Sequence, residues 1–413
     1  MRDTTLYQHL LGLHEPWTVS RVELDVEGQR VDVWVDHPRG RRWPCPQCGT
    51  ECSLYDHAQE RTWRHLDSCQ FQTFLHARPP RVKCPEHGVR QVQLPWAEPR
   101  GRFTLLFEAF AIRVLQETTI QAACRILRIS WDEAWHLMRR AVARGLARKP
   151  VRLIAYVGVD EKAAGRGQRN YVTIVCDIVQ GTVEEVTTGR TKQSLLSYFA
   201  SLTDEQRRAI EAVAMDMCNV YIQAVLEAFP EEGQQKIVFD RFHLMKHMND
   251  AVDAVRREEH RRLLARQGRS SLTGTRYMWL YSKEQVPQRY WGTYYALRDS
   301  DLKTARAWAI KENLRRLWDY KTLRGAQPYW KRWYFWATHS RLEPVKKAAK
   351  TLKAHLYGIF NYFTHRITNA MTEGINSRID ELWAAGRGYR NKQRFRIVVL
   401  FHLGGLNLAP ATH

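Results

Sequence analysis

The residues best suited to chemistry fall into two short cysteine motifs and three widely separated carboxylates. Cys45-Pro-Gln-Cys48-Gly49 and Cys84-Pro-Glu-His87-Gly88 share one design: two ligand-type side chains three positions apart, a proline between them and a glycine after. That spacing lets a tight turn aim both side chains at one ion, and the glycine permits the backbone geometry that follows. Together Cys45, Cys48, Cys84 and His87 make a Cys₃His set for one structural Zn²⁺, a closed site that holds a small domain together rather than catalysing. Cys52 or Cys69 is the alternative for one of the four ligands, although neither sits in a paired motif.

The carboxylates are Asp160, Asp216 and Glu373. Asp160 closes an apolar run, LIAYVGVD (153–160), and Asp216 closes another, AVAMD (212–216). If the two runs are strands that pair side by side and parallel, both acids emerge at one edge of the sheet. Carboxylate oxygens suit hard cations such as Mg²⁺ or Mn²⁺, and two such ions about 3.5 to 4 Å apart promote phosphodiester chemistry. Glu373, in TNAMTEGINSRI (368–379), is the candidate third acid; on a helix Asn369 and Asn376 share its face and could orient a carboxylate or contact DNA. Glu161 and Asp240 compete for these roles, since Asp240 also closes an apolar run, KIVFD (236–240). Taken singly, each Asp equally suits a turn or a helix cap.

These side chains need elements to position them. Residues 17–38 alternate apolar and polar residues around Glu27-Gly28-Gln29, which predicts a β-hairpin, and residues 61–84 predict a second one between the cysteine motifs. Residues 104–146 predict three helices. Ile120, Ala123 and Leu127 share a face of the second, Ser130 and Glu133 form a capping box for the third, and Ala134, Leu137, Met138 and Ala141 make its buried stripe. The other side of that third helix shows Trp131, His136, Arg139 and Arg140, as a helix-turn-helix presents its recognition helix to the major groove. A plain three-helix bundle fits the same pattern. From residue 153 three strands (153–160, 171–178, 183–188) precede an alternation of helix (193–202), strand (212–216), helix (220–229) and strand (236–240). That order predicts a mixed sheet with helical crossovers. The remainder reads as helical.

The chain has 413 residues, with 64 Lys+Arg against 43 Asp+Glu and a net charge of +21. No apolar run approaches the roughly 20 residues that span a bilayer, and the N-terminus lacks the pattern of an export signal, so a cytoplasmic, nucleic-acid-binding protein is expected. Charge is segregated. Residues 151–250 carry 11 basic and 14 acidic residues, residues 261–350 carry 21 and 6, and residues 383–413 contain Arg387, Arg390, Lys392, Arg394 and Arg396 with no acid. An acidic block between basic ones fits a metal-holding pocket within a phosphate-binding surface.

The order of paired knuckles, helix-turn-helix, VGVDE, AMD with Tyr221 five residues on, DRFH (240–243) and TNAMTEGINSRI resembles bacterial insertion-sequence transposases of the ISL-three type, along nearly the whole chain. His87 stands where that pattern leads one to expect Cys. The resemblance implies a multidomain α/β protein: a β-rich zinc-ribbon domain (1–100), a helix-turn-helix (101–150), a ribonuclease H-like core (151–256 and 346–413) and a basic, Trp-rich helical insertion (257–345). It implies that Asp160, Asp216 and Glu373 form a DDE triad holding two Mg²⁺ or Mn²⁺ ions. It further implies that residues 104–146 bind the element's inverted repeats, and that the protein works as a homodimer or larger assembly on double-stranded DNA in the bacterial nucleoid. Two other readings share these features. A non-catalytic DNA-binding protein needs no divalent metal, and a ribonuclease H-like nuclease or resolvase makes no strand-transfer products.

Overall fold

The computed structural model describes residues 2–163, 170–367 and 370–411. It forms two compact units that divide between Lys149 and Pro150, with the segment from Leu406 on belonging to the first. Arg144 holds that segment by donating to the Leu408 carbonyl at 2.8 Å. These last residues, expected as part of the core, belong instead to the first unit.

The first unit opens with α1 (Asp3–Leu10) and the hairpin β1 (Thr18–Asp25) and β2 (Arg30–Asp36). Then follow β3 (Arg42–Pro44), β4 (Glu51–His57), β5 (Arg61–Ser68), β6 (Phe71–Ala77), β7 (Pro80–Cys84) and β8 (Gly88–Gln91). They make two four-stranded sheets, β1-β2-β6-β5 and β3-β4-β7-β8. Alternation in β2 sends Val31, Val33 and Val35 inward against Trp17, Trp43, Trp63 and Trp96. The expected hairpin over 61–84 is only β5 and β6, which turn at Cys69-Gln70. β7 instead leaves for the other sheet and pairs antiparallel with β4. Alternation identifies a strand but not its partner, and Pro79 with Pro80, the first residue of β7, offers no amide donors to continue the β6 ladder.

Three helices complete this unit: α2 (Leu105–Glu117), α3 (Ile120–Leu127) and α4 (Trp131–Ala147). Thr104, Thr119 and Ser130 cap them, and Ser130 with Glu133 closes the expected capping box. The tight turn between α3 and α4 passes through Arg128 at φ 54°, a left-handed conformation that costs a non-glycine residue about 1 kcal/mol. Arg128 offsets this by anchoring its guanidinium on Asp67 and on the Gln70 carbonyl.

The second unit is built on β9 (Tyr156–Ala163), β10 (Tyr171–Asp177), β11 (Thr182–Thr188), α5 (Lys192–Ser201), α6 (Asp204–Ala209), β12 (Ala212–Met215), α7 (Asn219–Ala228), α8 (Gly233–Lys236) and β13 (Ile237–Phe239). The sheet order is β11-β10-β9-β12-β13. The first three strands form an antiparallel meander, while β12 and β13 lie parallel to β9 after helical crossovers. This is the mixed sheet expected from the strand–helix order. β9 runs three residues beyond Asp160, so that acid lies within a strand rather than at its end.

A helical layer follows: α9 (Arg241–Gln267), α10 (Arg276–Leu280), α11 (Trp291–Arg298), α12 (Lys303–Arg315), α13 (Leu323–Thr338) and α14 (Glu343–Ala354). Helix α9 starts directly after β13 and runs unbroken through residue 257, so the expected start of an insertion falls inside one helix. Trp279, Trp308, Trp318, Trp330 and Trp333 are buried and form the core of this layer, leaving Trp291 and Trp336 exposed. The chain then returns to the sheet with α15 (Leu356–His365) on β13, α16 (Ala370–Ala385) on β9 and α17 (Lys392–Leu403) on β11. Among the described residues no helix is long and apolar enough to cross a membrane.

Candidate functional site

Cys45, Cys48, Cys84 and His87 place one ligand atom each within 4.8 Å of all the others. Cys48 Sγ and Cys84 Sγ are 3.6 Å apart, His87 Nδ1 is 3.6 Å from Cys84 Sγ, and Cys45 Sγ is 3.9 Å from that nitrogen. A Zn–S bond of about 2.3 Å gives a tetrahedron with edges near 3.8 Å, so the constellation fits zinc with His87 ligating through Nδ1. The two knuckles meet because β4 pairs with β7, and Gly49 and Gly88 take φ of 75° and 69°, where a glycine is needed. A hydrogen bond between the Thr50 hydroxyl and Cys48 Sγ at 3.3 Å helps lower that thiol to about 6, favouring the ligating thiolate. Cys52 hydrogen-bonds the Thr50 carbonyl and Cys69 sits exposed in the β5–β6 turn, which resolves the alternative ligands in favour of the paired motifs.

On α4, Ala134, Leu137, Met138 and Ala141 are buried as expected, and Trp131, His136 and Arg139 are exposed on the outer side. Arg140 is a correction. Its guanidinium pairs with Glu108, whose carboxylate is buried in α2 and also receives Arg144 at 3.0 Å. Burial raises the Glu108 carboxyl, and the two arginines oppose that. Helical spacing placed Arg140 beside the outer face, but a long side chain at its margin reaches the nearest uncompensated buried charge.

The acids assemble at the carboxyl ends of the parallel strands. Register pairs Gly158 with Ala214 and Met215 with Phe239, so Asp160, Asp216 and Asp240 come level on three adjacent strands. Helix α16 brings the fourth acid from more than 130 residues away. Gly158 makes this approach possible: a Cβ there would lie 2.5 Å from Thr372 Oγ1 and 2.7 Å from Cys176 Sγ. Thr372 is fully buried in that contact, and the exposed Glu373 next to it lies within electrostatic reach of Asp240, His243 and Asp160. One turn on, Asn376 Nδ2 donates to Asp160 Oδ2 at 2.5 Å, so this expected DNA contact is engaged with a carboxylate. Asn369 lies outside the described residues. Arg387, Arg390 and Arg394 are exposed and Lys392 half-buried, in the segment that leads into α17 and in its first turn, while Arg396 is held by Glu185 at 2.6 and 2.9 Å.

The tightest acidic cluster among the described residues is Glu161, Asp216 and Cys218, with ligand atoms within 4.8 Å of one another, rather than the three expected acids. Arg190 explains this: it pairs with Glu161 and donates to Cys218 Sγ at 3.4 Å, drawing the longer Glu161 side chain toward Asp216. Asp240 caps α9 through the Phe242 amide and holds His243 Nδ1 at 2.8 Å. His243 is the residue that residue-type reasoning missed, although its place three positions after Asp240 at a helix start was a usable signal. The Asp240 hydrogen bond raises His243, with Asp216 and Asp160 adding to it. Burial raises Asp160, and Asp216 adds to that shift while His243 and Asn376 oppose it. Partial desolvation raises Glu373, with Asp240 and Asp160 adding. Among the described residues Asp160, Glu161, Asp216 and Asp240 gather beside Arg190 and His243, with Glu373 in electrostatic reach, a donor set of hard oxygens that fits divalent cations.

The comparisons with known proteins agree along the chain. Residues 41–87 match the zinc-finger of transposase IS204/IS1001/IS1096/IS1165, residues 92–142 the helix-turn-helix domain of transposase family ISL3, and residues 157–399 the DDE transposase domain of the same family. The transposase for insertion sequence element IS1001 of Bordetella parapertussis is 26% identical over 389 residues, 93% of this chain and 95% of that protein. The transposase for insertion sequence element IS1557 of Mycobacterium tuberculosis is 28% identical over 440 residues, 98% of this chain and 96% of that protein. Since the transposase domain alone matches more than half of its length, the chain belongs to the ISL3 family of insertion-sequence transposases, as a DNA-binding transposase with a zinc ribbon and a helix-turn-helix.

Proposed function

We propose that this protein excises and inserts its element through a ribonuclease H-like core in which Asp160, Asp216 and Glu373 are the catalytic acids. The observation that supports this reading is the level register of Asp160 and Asp216 on neighbouring parallel strands, with α16 packed at Gly158 and Glu373 within electrostatic reach of Asp160. The three carboxylates would hold two Mg²⁺ or Mn²⁺ ions, which when bound supply a lowered water pKa and charge neutralisation at phosphorus. The chain's own residues do the positioning. Asn376 fixes one oxygen of Asp160, the Asp216 side chain is held by the Cys218 amide at 3.0 Å, and Arg190 balances Glu161. In cleavage a water oxygen bonds to phosphorus, the P–O3′ bond breaks, and the 3′ oxygen takes up a proton. In strand transfer the oxygen of that 3′-hydroxyl bonds to a target phosphorus, the target P–O3′ bond breaks in line with it, and the released target 3′ oxygen takes up the proton, so positioning supplies much of the rate.

Trp131, His136 and Arg139 on α4 read the inverted repeats in the major groove, and the arginines of 387–394 contact phosphates. Two element ends must be processed together, which makes a homodimer or larger assembly the working form, acting on DNA in the bacterial cytoplasm. A plasmid excision assay tests the reading. Asp160→Asn is expected to bind the element end normally and give no excised product; excision at the parental rate would refute the assignment.

A further inference from the structure

The outer face of α13 carries cations and exposed aromatic rings together. Arg324, Lys331, Arg332, Phe335, Trp336 and His339 recur at helical spacing along one side, and all six are exposed. Phe335 is 63% and Trp336 38% accessible, an unusual cost in apolar surface for a helix whose opposite side buries Trp330 and Trp333. No acid occurs between Asp319 and Glu343, so α13 itself supplies nothing that neutralises these cations. The aromatic part is also preorganised. The His339 ring stacks on Phe335 at 3.9 Å between centroids and 27° between planes, and its Nδ1 is 2.8 Å from the Phe335 carbonyl. The helix α14 packed beside it adds exposed Lys347 and Lys350.

We infer that this face is a binding platform for single-stranded DNA, with Phe335, Trp336 and His339 stacking on unpaired bases while Arg324, Lys331 and Arg332 neutralise the adjoining phosphates. Cationic side chains alone would suit a duplex backbone, but in a duplex the faces of the bases are covered by their neighbours. Exposed rings among cations therefore match a strand whose bases are free to stack. An apolar protein partner would not call for an acid-free border, and an acidic one would leave the stacked rings without function. The inference rests on the reading of the chain as an enzyme that cuts DNA at element ends, and it names where a strand freed from pairing there would be held. The same face would make affinity strongly dependent on salt.

Fluorescence anisotropy of the full chain tests this without cleavage, using a labelled oligothymidine and a labelled duplex of the element end, in the absence of divalent metal. Phe335→Ala/Trp336→Ala is expected to weaken oligothymidine binding by about 10- to 100-fold and to change duplex binding by less than about twofold. Lys331→Ala/Arg332→Ala is expected to flatten the dependence of log affinity on log salt by about one. Parental oligothymidine binding by the aromatic variant would overturn the proposal, and so would an equal loss on both probes in a variant whose thermal unfolding is unchanged. Asp160→Asn separates the two readings. If it still cleaves, the catalytic assignment fails while the platform stands; if it cleaves nothing and the aromatic variant binds normally, the platform alone fails.

Discussion

The zinc knuckles and the carboxylate cleft are both clusters of metal-ligand chemistry, and they are built in opposite ways. Each knuckle is made within four residues by a turn that its own proline and glycine dictate, so only the pairing of β4 with β7 is needed to complete the site. The cleft draws its acids from three strands and from a helix more than 130 residues further on, and it depends on strand register and on one close contact at Gly158. Local construction makes a site rigid and bound to the stability of its domain. Remote construction lets a site fail through a neighbour while the fold persists.

That contrast can be broken or sharpened by experiment. Cys84→Ser should have the largest effect, because structural zinc contributes on the order of 10 kcal/mol to a small domain. Loss of bound zinc together with rapid proteolysis of the first unit is the expected outcome, with the second unit left resistant. A stoichiometric zinc content in that variant would break the contrast at once. His65 should come next. It is buried, lies 2.8 Å from Thr104 Oγ1, and burial lowers it to about 4. Since the unfolded chain takes up the proton first as pH falls, stability of the first unit is full above pH 6.5 and declines toward pH 4, by up to about 3 kcal/mol. His65→Gln should flatten that slope in a thermal unfolding series.

In the cleft the effects should be smaller on stability and larger on chemistry. Gly158→Val forces a side chain against Thr372 and Cys176, which should cost about 1 to 3 kcal/mol in unfolding and displace α16, with cleavage falling far more than end binding. Asn376→Ala should leave the fold intact and remove one hydrogen bond to a carboxylate, lowering cleavage by about tenfold. Because that amide holds Asp160 down, the acid limb of the pH–rate profile should move upward in the variant.

The same contrast explains how much was legible beforehand. The knuckles, the three helices after residue 104 and the mixed strand–helix order were readable because each is encoded within a few residues. The partner of β7 was not, since alternation carries no information on pairing. Arg140 misled because a residue at the edge of a helical face has a choice of side, and the buried Glu108 decides it. Arg190 was hidden for the opposite reason, because nothing near it in sequence marks it as a neighbour of Glu161 and Cys218, whereas His243 had only its place three residues after Asp240 to mark it. Asp240 follows the edge strand β13, one strand beyond β12, and register still brings it level with Asp216.

Nicking of a labelled element end in Mg²⁺ by five single variants tests the central assignment most directly. Asp160→Asn, Asp216→Asn and Glu373→Gln should each give no nicked product while binding the end as the parent does. Glu161→Gln and Asp240→Asn should retain measurable nicking. Parental nicking by Glu373→Gln, with complete loss in Glu161→Gln, would contradict the account and move the catalytic centre to the Glu161–Asp216–Cys218 cluster.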